Sequence, residues 1–256
     1  MTRHDRPSRF WEYVAVVLMK PLSLALMRRD WRGREHIPGT GGVIIAANHL
    51  SWTDPVLLGH YLYDNGRWPV FLAKSGIFGV PVLGKIVAWL RTIPVYRDTA
   101  DAANSLRAAE RAVRGGACVI FYPEGTCTRD PNLWPMSGKT GAARLALATG
   151  APVVPVAHWG AQELLPYGAK RPRPFPRKTF HIKAGPPVDL SRYAGRPAHT
   201  DVLRDATADI IAAITAQLAD IRGEKAPDVP FDRNAPDPGG DAPEGGETDT
   251  GRRSDG

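Results

Sequence analysis

At 256 residues with 43% hydrophobic composition, the chain is long enough to bury one sizeable core, and its length favours one domain or a large domain with appendages. The formal net charge of +7 hides an asymmetry, because from Glu224 onward there are nine acidic and four basic residues, leaving +12 on residues 1–223. A basic body favours anionic partners (nucleic acid, a phospholipid surface or a phosphorylated substrate) without choosing among them, while two cysteines, Cys118 and Cys127, with no C-x-x-C spacing argue against a disulfide framework or a zinc module and fit a reducing cytosolic setting.

The first element is 10-FWEYVAVVLMKPLSLALMRRDWRGR-34. Glu12, Lys20 and Pro21 interrupt its apolar run, so it is too short to span a bilayer and poorly suited to a cleaved signal. With Trp11, Trp31 and the cations Arg28, Arg29, Arg32 and Arg34 around it, the segment reads as an amphipathic helix lying in a membrane interface; a helix simply packed on the domain is the alternative. We therefore assign residues 1–35 to a membrane-associated helix.

From Gly42 short β-branched runs alternate with helical patterns. Strands are expected at 43–47, 70–73, 92–96, 117–122, 152–158 and 179–184, with helices at 55–63, 81–90, 101–113, 138–149 and 201–221, the last beginning after Thr200 as N-cap. This alternation predicts a single α/β domain over 36–222 with a mixed, largely parallel sheet flanked by helices. The remainder, 223–256, is acidic and rich in Pro and Gly with almost no large apolar residues, the composition of a disordered tail. A basic, Pro-rich stretch, 170-KRPRPFPRK-178, suits either an anionic surface or an ordinary solvated loop.

Five predicted strands end in polar residues: Asn48-His49, Lys74-Ser75, Arg97-Asp98, Glu124-Gly125-Thr126 and His158. Ligands of open α/β sheets bind outside the carboxyl ends of the strands, so these residues converge on a candidate site for an anionic substrate undergoing proton transfer. His49 and Asp54, five positions apart, suit a general base and the carboxylate that orients it. Asp54-Pro55 equally suits a helix start, with Asp54 as N-cap, and both readings are compatible. In 121-FYPEGTCTRD-130, backbone N–H groups of a glycine turn and the Arg129 guanidinium would face an anion, although Pro-Glu-Gly is also a common turn sequence. Arg97 would suit a phosphate. Ser51 lies in no G-x-S-x-G elbow, Cys127 has no base beside it in sequence, and no metal-ligand spacing appears.

Together, 48-NHLSWTD-54, 93-IPVYR-97, 123-PEGT-126 and 153-VVPV-156 resemble, in order, the four motif blocks of the glycerolipid acyltransferases, and within them the bacterial 1-acyl-sn-glycerol-3-phosphate acyltransferases. The resemblance covers about residues 36–190. It departs at Arg91, where the family usually has glycine, and at Cys127, where it often has arginine. The resemblance implies acyl transfer from coenzyme A or acyl carrier protein to the free hydroxyl of lysophosphatidic acid, giving phosphatidic acid with no cofactor and no metal. His49 and Asp54 would be catalytic, and Arg97, Glu124, Gly125, Thr126, Arg129 and Lys74 would bind substrate. It also implies a peripheral or monotopic seat on the cytoplasmic face of the cell membrane. Another lysophospholipid or glycerol acceptor, thioester hydrolysis and a non-catalytic lipid-binding module remain alternatives. A nucleic-acid partner is not expected, since no module of that kind appears.

Overall fold

The central β-branched runs become strands because they have apolar residues on both faces, and only a sheet covered on both sides can bury them. The structure, a computed structural model, describes residues 9–96 and 102–232. Its elements are α1 (Arg9–Leu26), β1 (Met27–Arg32), β2 (Val43–Ala47), α2 (Asp54–Asp64), β3 (Pro69–Lys74), α3 (Leu83–Trp89) and β4 (Ile93–Val95), followed by α4 (Ala102–Arg114), β5 (Cys118–Phe121), α5 (Gly141–Thr149), β6 (Val153–Trp159), α6 (Ala161–Leu164), β7 (Lys178–Ala184) and α7 (Thr200–Arg222).

The strands form a seven-stranded sheet in the order β1-β7-β6-β2-β5-β3-β4. From β6 to β4 all neighbours are parallel; β7 runs antiparallel to β6, and β1 parallel to β7. The sheet is thus mixed and largely parallel, as expected. Side-chain alternation sorts each strand between two apolar layers. Ile44 and Ala46 of β2 pack with Val113 of α4, Leu145 of α5 and Ile210 of α7, whereas Val43, Ile45 and Ala47 pack with Leu58 and Tyr61 of α2.

A buried cation closes the opposite end of the sheet. Arg67, 4% exposed, donates to the carbonyls of Pro38, Gly41 and Gly116, joining the segments that lead into β2 and β5.

The helix expected over 10–34 is divided. It ends at Leu26, and Met27–Arg32 becomes an edge strand paired with β7. Arg28, Arg29 and Arg32 therefore lie on a strand, and Trp31 packs edge-on against His60 and Tyr61, with centroids 4.9 and 5.5 Å away. The cause is tertiary: Asp30 and His181 are register partners whose side chains hydrogen-bond at 2.7 Å, and Met27 is buried. The sheet thus includes residues of the segment 1–35.

Helix starts also shift. Thr53 occupies the N-cap of α2, with Asp54 the first helical residue, and His199, not Thr200, precedes α7. Of the segment expected as tail, residues up to 232 are described, and Phe231 bridges to Met136; 233–256 lie outside the described residues, as does Arg97.

Candidate active site

The carboxyl ends of β2, β5 and β6 meet because these strands are adjacent and parallel. Beyond β2 the backbone changes partner: the Asn48 side chain accepts from the His158 N–H at 2.9 Å and donates to its carbonyl at 3.0 Å, continuing the β2–β6 ladder with a side chain. That frees residue 49 to turn out of the sheet.

His49 then folds over the start of α2. Its Nδ1 lies 2.8 Å from Asp54 Oδ2, and the same oxygen accepts the backbone N–H groups of Leu50 and Ser51 at 2.6 and 2.8 Å. Asp54 is fully buried, and His49 is 16% exposed in its side chain. The capping carboxylate expected from sequence turns back onto the loop before the helix, so the one group orders the loop and holds the imidazole. With Nδ1 committed to the carboxylate, Nε2 is the remaining nitrogen for an incoming proton donor. Tyr122, just past β5, stacks on the ring with centroids 4.3 Å apart and a 22° tilt, restricting it to one plane.

Electrostatics follow from burial. Burial alone would raise the Asp54 carboxyl, but the positive charge of His158 and His49 when protonated and the hydrogen bonds from His49 and Ser51 outweigh it and hold the group below its ordinary range. His158 Nε2 stands 3.7 Å from Asp54 Oδ2; its own burial pushes that imidazole down toward the neutral form, opposed by the Asp54 charge. Burial raises the Tyr122 phenol well above its usual value, so it stays protonated.

Glu124 is 1% exposed. Its two oxygens accept the N–H groups of His49 and Met136, each at 3.0 Å. Burial raises the carboxyl to about 7 against the pull of those donors. Glu124, which the resemblance counts among the substrate-binding residues, points inward and ties the His49 backbone to the segment before α5. Thr128 completes the clamp, its N–H donating to the His49 carbonyl at 2.7 Å.

The other substrate-site candidates are dispersed. Gly125, with φ 73°, makes the turn out of β5, and its N–H is taken by the Tyr122 carbonyl at 2.9 Å; Thr126 beside it is half-buried. Arg129 is exposed on the wall of a groove of about 370 Å³ that Leu50, Thr128, Leu133, Gln162 and Tyr167 also line. Lys74 is exposed at the end of β3, separated from β2 by β5.

Nucleophiles are shielded. Ser51 is fully buried and donates to the Leu165 carbonyl at 2.7 Å, and Cys127, 2% exposed, has its thiol raised by burial to about 12.

His158 closes the Asp54 pocket although the sequence marks it only as a polar strand end. Tyr122 carries no sequence signal as a stacking partner. The signal for both lies in the topology, since the position just beyond β5 and the carboxyl end of β6 flank the position just beyond β2.

The chain is similar in sequence to several curated proteins and in fold to a solved structure. The chain is 31% identical over 169 residues to 1-acyl-sn-glycerol-3-phosphate acyltransferase BAT2, chloroplastic, of Brassica napus, covering 65% of this chain and 47% of that protein. It is 28% identical over 130 residues to the 1-acyl-sn-glycerol-3-phosphate acyltransferase of Bacillus subtilis, covering 50% and 60%. It is also 36% identical over 113 residues to the lyso-ornithine lipid O-acyltransferase of Pseudomonas aeruginosa, covering 43% and 40%. The chain thus spans about half the length of the curated relatives it matches. The crystal structure of the 1-acyl-sn-glycerophosphate acyltransferase PlsC from Thermotoga maritima superposes with a TM-score of 0.61 at 22% identity, covering 85% of this chain and 83% of that one, which shows a shared fold. The acyltransferase family model matches residues 28–159, from the edge strand β1 to the end of β6, and the chain belongs to that family.

Proposed function

We propose that this chain transfers an acyl group from a thioester donor, acyl-CoA or acyl carrier protein, to the free hydroxyl of 1-acylglycerol 3-phosphate. The observation that carries the reading is the His49–Asp54 pair, an imidazole held by a buried carboxylate at 2.8 Å, whose neighbours Leu50 and Thr128 line a groove.

His49 Nε2 takes the hydroxyl proton as the acceptor oxygen attacks the thioester carbonyl. Asp54 keeps the proton on Nδ1 and stabilises the imidazolium. Collapse of the tetrahedral intermediate expels the thiolate, which recovers the proton from His49. The oxygen of the acceptor ends in the ester, and no acyl-enzyme forms; the buried states of Ser51 and Cys127 support this direct route. Arg129, Lys74 and Arg97 are the cations assigned to the acceptor phosphate and the donor, and Gly125 and Thr126 shape the turn out of β5. Glu124 acts by positioning the His49 backbone.

A two-chain product belongs in a bilayer, and the reading includes a peripheral seat on the cytoplasmic face of the cell membrane. No helix among the described residues is long and apolar enough to cross a membrane. Phe10, Tyr13, Val17, Leu18 and Leu22 of α1 are nevertheless exposed, as are Val82 and Ile86 about α3. Exposed apolar surface of this extent suits a membrane interface.

A second acceptor deserves an arm in the same experiment, because the 36% identity to a lyso-ornithine lipid O-acyltransferase points to a zwitterionic lysolipid. The test is acyl transfer by purified protein from long-chain acyl-CoA to lysophosphatidic acid, lyso-ornithine lipid and monoacylglycerol, beside His49→Ala. Phosphatidic acid from the native protein alone is expected, with His49→Ala down at least about a hundredfold. Activity of the variant within a few fold of native would refute the base, and product only from lyso-ornithine lipid would replace the acceptor.

A further inference from the structure

The segment 165–178 carries five cations, Lys170, Arg171, Arg173, Arg177 and Lys178, and no acidic residue. Prolines at 172, 174 and 176 limit its backbone freedom, so less conformational entropy is lost when it binds. Two backbone bonds fold it back on itself, Ala169 N–H to the Pro166 carbonyl at 3.0 Å and Arg173 N–H to the Leu164 carbonyl at 2.7 Å. Between these stiffening features stands Phe175, 86% exposed. Lys170, Arg171 and Arg173 are exposed beside it.

The two ends of the loop lead to different places. At one end Arg177 donates to the carbonyls of Leu24 and Met27, the latter at 2.9 Å, where α1 passes into β1. At the other, Tyr167 lines the groove that Leu50 and Thr128, the neighbours of His49, also line, and meets Trp52 edge-on at 5.8 Å. The loop therefore joins the end of the helix with exposed apolar residues to the mouth of the site.

We propose that the 168–177 loop is a second bilayer contact, with Lys170, Arg171 and Arg173 engaging anionic phospholipid headgroups while Phe175 enters the interface. Charge complementarity selects an anionic surface. The isolated, exposed Phe175 and the continuity with α1 favour lipid over an acidic protein. The contact brings the groove mouth to the headgroup level, where a lysolipid enters without leaving the membrane. The inference rests on the membrane-acyltransferase reading, yet lipid binding is measured independently of catalysis.

The test uses the full chain in sedimentation with vesicles of phosphatidylcholine alone and with a phosphatidylglycerol fraction. Each cation near an anionic surface contributes roughly a factor of five, so the triple variant Lys170→Gln/Arg171→Gln/Arg173→Gln should partition about a hundredfold more weakly to anionic vesicles. Phe175→Ser should weaken partition about tenfold on both kinds of vesicle. Turnover of detergent-dispersed lysophosphatidic acid should match native in both variants, which also shows that they fold. Triple-variant partition within twofold of native overturns the proposal, as does absence of binding by native protein. So does unaltered vesicle binding with a raised KM for acyl carrier protein alone, which would assign the loop to the donor. Charge-dependent vesicle binding with no acyl transfer by native protein would sink the catalytic reading and leave this surface standing.

Discussion

Replacing Asp54 by Asn separates its two tasks. The Leu50 and Ser51 N–H groups point at Oδ2 from 2.6 and 2.8 Å, so an amide NH₂ there would face two donors. The Asn oxygen therefore takes that place, continues to accept from His49 Nδ1, and preserves the tautomer. What disappears is the negative charge facing the imidazolium. Opposite charges centred about 4 Å apart at an effective dielectric constant near 20 interact by about 4 kcal/mol, which corresponds to a fall of about a thousandfold in kcat. The displaced NH₂ points where Asp54 Oδ1 is buried with no partner among the described residues, costing about 1–3 kcal/mol of stability. The assay is steady-state acyl transfer to lysophosphatidic acid, with urea unfolding in parallel. A folded Asp54→Asn protein with kcat within tenfold of native would refute the electrostatic role. The acid limb checks the same group: the native carboxyl lies below the ordinary 3.8, so its stabilisation is complete above 3.8 and is lost only as pH falls through the lower folded value. That loss should be missing in Asp54→Asn.

Three further substitutions test the supports. Burial depresses His158 below 6.5, so unfolding takes up a proton and native stability falls as pH drops below 6.5; His158→Gln should remove up to about 1.4 kcal/mol per pH unit of that slope, and equal slopes in urea titrations would contradict it. Arg67→Met strips hydrogen bonds from the carbonyls of Pro38, Gly41 and Gly116 and should cost about 3 kcal/mol in chemical denaturation; a loss below about 1 would show those carbonyls find other donors. Arg91 has φ 58° after α3, where its N–H reaches the Ala88 carbonyl and Thr92 N–H reaches that of Val87, both at 3.1 Å, an arrangement that glycine adopts without strain. Arg91→Gly should raise stability by about 0.5 kcal/mol, since relief of strain exceeds the added unfolded-state entropy; a lower melting temperature would refute the strain.

Much of the sheet is legible in the chain. Runs such as VIIAA at 43–47 and PVVPVAH at 152–158 are apolar on both alternating faces, and such a run is stable only between two covering layers. Most of the helices between them show through periodicity, with boundaries moved by a few residues. The resemblance leads one to expect glycine at 91, and Arg91 there adopts the left-handed backbone that glycine favours.

The sequence by itself determined the α/β class, the central strands and the proximity of His49 to Asp54, because these depend on local periodicity and on a span of five residues. Only the tertiary structure decided the rest. MRRDWR has too little apolar content to announce a strand, and pairing with β7 makes it one. Glu124 turns inward because two backbone donors await it there, and His158 meets Asp54 across 104 positions of sequence because β6 lies beside β2. Such arrangements arise from strand order and from hydrogen-bond donors that burial leaves in need of partners, neither of which is written in a local window of residues.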